Sequence, residues 1–284
     1  MPFLLLGAAL ISFAGVFVKL VETGPTATAF YRMLFGGLVL LAVVLLRGER
    51  LRPSGRPLAF MLLAGTCFAL DLFFFHRSIH YVGPGLATLM ANLQVFILAL
   101  VGVVAFGERL RWQTAVAIPL AVAGLATIVG FDWLSLEPRY RTGITYGIVT
   151  AFCYAAYILS VRGSRGRGPR TSLVGNMAII SLSCAALLAL AVAVEGATFA
   201  VTSGRDWLLL VGYGVACQAL AWVLISRSIT SVPASMVGLV LLLQPALAFL
   251  WDILFFARAF SVGEAAGALL VLAAIYLGAV KSRT

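Results

Sequence analysis

Five side chains that can both donate and accept hydrogen bonds interrupt long apolar runs of this sequence: His76, Asn92, Gln94, Gln218 and Gln244. His76 does so according to its tautomer, and none of the five carries a permanent charge. Together they can hold the carboxylate and the amine of one small solute. Tyr154, Tyr157 and Trp222 can add aromatic walls, or cover an ammonium through cation–π attraction. The alternative use of such groups is interhelical glue, which contributes about 0.6 kcal/mol per bond on average.

Lys19, Arg32, Asp71 and Asp252 lie in the same apolar surroundings. A charge near the centre of a bilayer costs about 2.5 to 3.5 kcal/mol on insertion scales, so such groups pair or face water. Two cations and two carboxylates can compensate one another, with Glu22 three residues from Lys19 as a further partner. The set reads either as a gating network or as a static ion-pair cluster that orients helices. His76 and His80 stand four apart, but no third metal ligand has matching spacing. No Ser/His/Asp or HExxH arrangement falls in the runs, so catalysis has no support and no cofactor is implied. Cys67, Cys153, Cys184 and Cys217 fall inside the runs without CxxC spacing, which speaks against disulfides and structural zinc.

The elements that position these residues are membrane helices. Hydrophobic residues make up 62% of the 284, charged ones 11%, and the mean hydropathy is +1.08. Continuous apolar stretches, each about 17 to 24 residues and able to cross the hydrocarbon core, fall near 3–21, 27–46, 58–76, 84–106 and 113–131. They continue near 143–161, 173–194, 206–226, 233–256 and 263–280. The fold class is therefore an all-α integral membrane protein of ten transmembrane helices. Alternation of the kind that marks a barrel is missing. Met1 to Leu6 lacks the basic segment of a cleaved signal peptide, so the first run reads as a permanent span. Pro119 and Pro245 should disturb spans 5 and 9. Gly143/Gly147 and Gly263/Gly267 have the spacing that lets helices approach closely.

The chain also repeats itself. Arg77-Ser78-Ile79 returns as Arg227-Ser228-Ile229, and the same offset carries Cys67 onto Cys217 and Gln94 onto Gln244. An ungapped alignment of 62–131 with 212–281 adds matches at Leu70, Val82, Leu93, Phe106 and Leu120, among others. The sequence divides into a first repeat at 1–131, a connecting loop at 132–142 and a second repeat at 143–284.

The net charge of +10 does not indicate nucleic acid, because the cations sit in short loops. Arg47, Arg50, Arg52 and Arg56 follow span 2, Arg109 and Arg111 follow span 4, and Arg162, Arg165, Arg167 and Arg170 follow span 6. Lys281 and Arg283 end the chain. The positive-inside rule makes these loops, and both termini, cytoplasmic. Arg139, Arg141, Arg205 and Arg258 are exceptions on the other side, and Lys19, Arg32, Asp71 and Asp252 fall in the outer third of their spans toward that side. Five spans per repeat then invert the second copy relative to the first, which is the arrangement that underlies alternating access. Lipid and a small-molecule substrate are the expected partners, and a monomer suffices because the pseudo-symmetry is internal.

With its repeat, its ten spans and the segment Phe106-Gly107-Glu108-Arg109-Leu110-Arg111-Trp112-Gln113 leading into Ala121-Val122-Ala123-Gly124-Leu125, the sequence resembles the EamA-type branch of the drug/metabolite transporter superfamily. The second copy departs from the Gly-Glu-Arg pattern, with Ala257-Arg258-Ala259 at the corresponding place. The resemblance implies export of small metabolites, often amino acids, across a bacterial inner membrane through a cavity lined by helices such as 3, 4, 8 and 9. Within the family the chain looks most like exporters of aromatic and other neutral amino acids. Neither 78–107 nor 228–257 contains Lys or Arg, and phosphorylated solutes need cations, so such solutes are disfavoured. Span 1 has no carboxylate for cationic drugs. A neutral or zwitterionic solute fits better, with a multidrug or other metabolite exporter as the alternative within the superfamily and a channel or an enzyme as the alternative outside it.

Overall fold

The computed structural model describes residues 2–49, 51, 53, 55–107, 112–129, 136–164, 172–229, 240, 243–258 and 261–279. Outside the described residues lie Arg50, Arg52, Glu108, Arg109, Arg111, Arg165, Arg167, Arg170, Lys281 and Arg283, together with most of the first half of expected span 9.

Every regular element among the described residues is helical. In lipid the backbone must satisfy its own polar groups, and a helix does so within a single segment. Span 1 comprises Pro2–Ser12 and Ala14–Leu20, span 2 Pro25–Leu46, span 3 Arg56–Val82, and span 4 Pro84–Ala91 with Gln94–Phe106. Span 5 is Trp112–Val129, span 6 Pro138–Gly163 and span 7 Leu173–Val194. Span 8 runs through Gly204–Gly212, Tyr213–Leu220 and Ala221–Ile229, span 9 holds Leu243–Phe256, and span 10 is Val262–Ala279. Seven of these are long and apolar enough to cross a bilayer, and spans 5, 9 and 10 are shorter apolar helices. Large apolar side chains face outward, as at Leu46, Val194, Leu208 and Val262, each more than three-quarters exposed. That is the surface expected against lipid rather than water.

The starts of the helices follow local chemistry. Pro stands in the first turn of spans 2, 3, 4 and 6, where its missing N–H costs nothing. Ser172 and Ser203 cap spans 7 and 8 by accepting from Gly175 N and Asp206 N, both at 3.0 Å.

Two boundaries differ from the sequence expectation. Span 3 continues six residues past 76, because Arg77 is accommodated on the helix. Its guanidinium lies 3.6 Å from the centre of the Phe73 ring, donates to Phe73 O and pairs with Glu195. His80, expected in a loop, is therefore helical. Span 6 begins at Pro138, inside the stretch expected to connect the repeats.

The most extensive helix contacts have counterparts when each span n is exchanged with n + 5. Spans 2 and 7, 4 and 9, and 5 and 10 pair with each other. The contact of span 3 with 6 is matched by 8 with 1, that of 3 with 7 by 8 with 2, and that of 4 with 6 by 9 with 1. The self-exchanging pairs run antiparallel. Thr26, Gly37 and Glu49 of span 2 and its following loop meet Glu195, Ser181 and Ser172 in turn. A β-carbon on Gly124 would approach Gly267 and Val271, while one on Gly267 would approach Gly124 and Ile128. A twofold axis that relates antiparallel mates lies in the membrane plane, so the two five-helix repeats are inverted.

Candidate functional site

Three spans lose regular α-winding at the same depth. Span 1 breaks at Phe13, span 4 at Asn92-Leu93, and span 8 widens into a π-helix over Tyr213–Leu220. Such irregular backbone at membrane depth occurs where it lines a cavity or is covered by protein. Each break is held by specific bonds. Phe13 N reaches Leu10 O at 3.3 Å, and the same carbonyl accepts from Cys217 Sγ at 3.0 Å. Trp251 Nε1 donates to Ser12 Oγ at 2.8 Å. Asn92 Nδ2 donates to Thr88 O at 2.8 Å.

Between the breaks lies a cavity with about 610 Å³ of non-atom space, including its open mouth. Ile11 and Ala14 flank the first break, Ala91 and Asn92 stand at the second, and Trp222 follows the π-segment. Arg32, Asp71, Thr88, Thr150, Tyr154 and Gln244 supply its polar wall, and Phe68, Leu72 and Phe75 its apolar one.

Arg32 and Asp71 are the two charged side chains of this wall, only 4% and 5% exposed. Arg32 donates to the Tyr213 hydroxyl at 2.8 Å and lies over the Tyr213 and Phe68 rings at 4.8 and 5.8 Å. Tyr213 in turn meets His76 Nε2 at 3.0 Å, and His76 Nδ1 meets Pro25 O at 3.0 Å. A carbonyl can only accept, so Nδ1 carries the ring hydrogen. Nε2 therefore accepts from the Tyr213 hydroxyl, whose oxygen accepts from Arg32. A neutral imidazole satisfies the whole relay. Asp71 has no hydrogen bond and no ion pair among the described residues. The two opposite charges thus share one cavity without closing on each other.

Tyr213→Phe removes the hydroxyl that both Arg32 and His76 use. Leaving buried partners unsatisfied costs about 1 to 3 kcal/mol, so the purified variant should melt several degrees lower, read by intrinsic fluorescence in detergent. A melting curve unchanged from the parent would refute the relay.

Of the residues singled out from sequence, Arg32, Asp71, Asn92, Tyr154, Trp222 and Gln244 come together around the cavity. The others lie elsewhere. His76 stands behind Tyr213. Tyr157 stacks on Phe68 and Tyr154, with centroids at 4.5 and 5.9 Å. Gln218 donates to Ser181 Oγ at 3.1 Å, toward span 7. Gln94 stands outside the lining, with its Oε1 buried and without a partner among the described residues.

The four intramembrane charges are spread over three places rather than one. Lys19 lies over the Phe256 ring at 4.9 Å, while Asp252 pairs with Arg258 and accepts from Gly85 N, both at 3.3 Å. Asp71 is further from the bundle end than expected because span 3 is longer. The cation-free wall inferred from 78–107 and 228–257 also needs correction, since Arg32 of span 2 reaches the cavity. Sequence reasoning missed Thr88, Thr150, Phe68, Phe75 and Tyr213. Thr88 had one signal, its position one turn before Asn92; nothing distinguishes Tyr213 from other span tyrosines.

The bundle ends differ. Where spans 3 and 7 finish, Arg77 pairs with Glu195, and Thr26 Oγ1 bridges them, accepting from Arg77 at 2.9 Å and donating to Glu195 at 2.7 Å. Nearby, Arg258 joins Asp252, Glu264 at 3.5 Å and Val82 O at 2.5 Å. Gly83 makes this second cluster possible. Its φ is +90°, and a β-carbon would sit 2.6 Å from Asp252 Oδ2. At the opposite, Arg47 end, a pocket of about 590 Å³ non-atom space lies among Leu40, Arg47, Ser172, Met177 and Val223. It shares Trp222 with the central cavity, so one indole forms a wall of both.

Known proteins give the same picture of the whole chain. It is 26% identical over 280 residues to an uncharacterized transporter of Archaeoglobus fulgidus, covering 96% of this chain and 94% of that one. It is 21% identical over 203 residues to the uncharacterized transporter YxxF of Bacillus subtilis, 71% of this chain and 63% of that one. A solved crystal structure, 21% identical, shares the fold with a TM-score of 0.66 over 97% of this chain and 93% of that one. The EamA-like transporter family matches residues 1–130 and again 141–279, and the chain belongs to that family.

Proposed function

We propose that this transporter exports small zwitterionic metabolites, amino acids including aromatic ones, across a bacterial inner membrane by alternating access. The observation that carries this reading is the pair of opposite, unbridged charges in one cavity. Arg32 suits a carboxylate and Asp71 an ammonium. Binding both at once satisfies each charge without leaving a net charge in the hydrocarbon core. Tyr154, Trp222 and Phe68 supply the faces on which an aromatic side chain rests, and Asn92 and Gln244 the neutral hydrogen-bonding groups. A phosphorylated solute would outweigh the single guanidinium.

The Arg47 end, rich in arginine by sequence, is cytoplasmic in this reading, and both termini with it. The pocket beside Trp222 is then the route inward, and the Arg77–Glu195 and Arg258–Asp252 clusters close the outer side. The two repeats, 1–131 and 143–284 joined by 132–142, are the halves that exchange roles.

Counterflow of labelled phenylalanine into liposomes holding the purified protein tests the substrate class. Uptake should saturate. Competition should be at least about tenfold weaker for phenethylamine and for phenylpropionate, which lack one of the two charged groups, since each charge-assisted bond contributes about 1.5 to 3 kcal/mol. Equal competition by a cationic dye would point to multidrug export instead.

A further inference from the structure

A third pocket with about 1020 Å³ of open space lies at the Glu195 end, lined by different residues from the central cavity. We propose that it is a binding site for a small carboxylate anion, independent of whatever solute occupies the centre. Its charged lining is Lys19, Arg77, Arg139 and Glu22, with His80 beside them. Arg77 is occupied by Glu195. Lys19 and Arg139 have no ion pair among the described residues; they lie only over aromatic rings, Phe256 at 4.9 Å and Tyr81 at 5.1 Å. Against these two cations stands Glu22 as the one carboxylate of the lining.

Two further observations point to an oxygen-rich ligand. Thr23 and His80 both line this pocket, and Thr23 Oγ1 and His80 Nε2 are buried with no hydrogen-bond partner among the described residues. Thr23 is only 8% exposed, and orphaned polar atoms of this kind are rare in folded proteins. The hydroxyl donates, and so does Nε2 in the appropriate tautomer, which matches two oxygens held side by side. The pocket also receives the start of span 2. There Gly24 provides no side-chain cap and Pro25 no N–H, so the positive end of a 22-residue helix is left open to an anion. Pro25 belongs to both systems. Its carbonyl begins the His76–Tyr213–Arg32 relay, which leads from this pocket to the central wall.

The test is fluorine NMR of trifluoroacetate added to the full chain in lipid nanodiscs, with trifluoroethanol as the uncharged control. Saturable broadening of trifluoroacetate alone, reversed by acetate but not by equal chloride, is expected. Lys19→Gln/Arg139→Gln should weaken it about tenfold or more and Thr23→Val several-fold, while Arg32→Gln leaves it intact. Broadening that survives the double variant, or disappears in Arg32→Gln, would place the anion in the central cavity and overturn the proposal. So would reversal by chloride as effective as that by acetate, or no saturable broadening in the parent. Lys19 is half-buried and Arg139 exposed, and Thr23→Val changes no charge; each variant, Arg32→Gln included, is measured as the monodisperse fraction from size exclusion, so loss of fold is not read as loss of binding.

Discussion

Asp71→Asn should abolish efficient transport of neutral amino acids, raising the half-saturating concentration about tenfold or more, without loss of folded protein. The carboxylate has no hydrogen bond or ion pair to lose among the described residues, and burying it is itself costly, so its removal leaves the melting temperature unchanged or higher. The defect should depend on the solute. Phenylpropionate, which has no ammonium for Asp71, should compete as well with the variant as with the parent. Arg32→Gln should produce the complementary pattern, weakening every carboxylate-bearing solute and sparing phenethylamine. It should also lower stability, because Tyr213 loses a buried donor. Asp71 acting as part of a gate predicts something else: every solute is slowed alike. Counterflow of the same three compounds through both variants separates the two roles, and normal transport by well-folded Asp71→Asn protein would rule out both.

Gly267→Val should largely eliminate folded protein, whereas Gly263→Ala, one turn earlier on the same helix, should leave it unchanged. A β-carbon at Gly267 would lie 2.6 Å from Gly124 O and 3.1 Å from Ile128 N, both backbone atoms of span 5 that no rotamer change can move aside. At Gly263 the nearest atom is Ser261 Oγ at 3.7 Å. Overpacking between well-fitted elements costs typically about 1 to 3 kcal/mol, and more where backbone must separate. The two variants, compared by fluorescence-detected size exclusion after mild heating, give a direct reading. Equal monodisperse peaks would show that spans 5 and 10 can part at little cost.

Spans and inversion were legible in the sequence because both depend on additive quantities, the length of apolar runs and the loop positions of arginine. The breaks were not. Pro119 carried the expectation of disturbed winding, yet it sits inside the unbroken Trp112–Val129 helix; for Pro245, in Leu243–Phe256, the residues immediately before that helix lie outside the described ones. The interruptions at Phe13 and Asn92-Leu93 contain neither Pro nor Gly, and the one at Phe13 is held by bonds from the distant Trp251 and Cys217. Sequence-local chemistry carries no trace of those partners. The same holds for Asp71, assigned to the outer third because Arg77 and His80 marked the end of a span. Once Phe73 and Glu195 cover Arg77, the helix continues and Asp71 lies near its middle. Of the proposed solute contacts, the hydrogen-bonding side chains that face the cavity, Asn92 and Gln244, were as visible beforehand as Gln94 and Gln218, which do not.

The π-wound stretch Tyr213–Leu220 has a consequence for how a duplicated protein becomes directional. Its counterpart in the first repeat, 63–70, is ordinary α-helix within Arg56–Val82, yet the two stretches align without a gap. The same number of residues therefore makes fewer turns in the second copy, since each turn of a π-helix takes up more of the chain. Everything beyond Leu220 is rotated about the helix axis relative to its twin beyond Leu70, although Trp222 and its counterpart Leu72 both reach the cavity. Direction of handling, inward versus outward, can thus arise from winding as well as from side-chain identity: two halves that align without a gap cease to be mechanically equal, with no residue gained or lost.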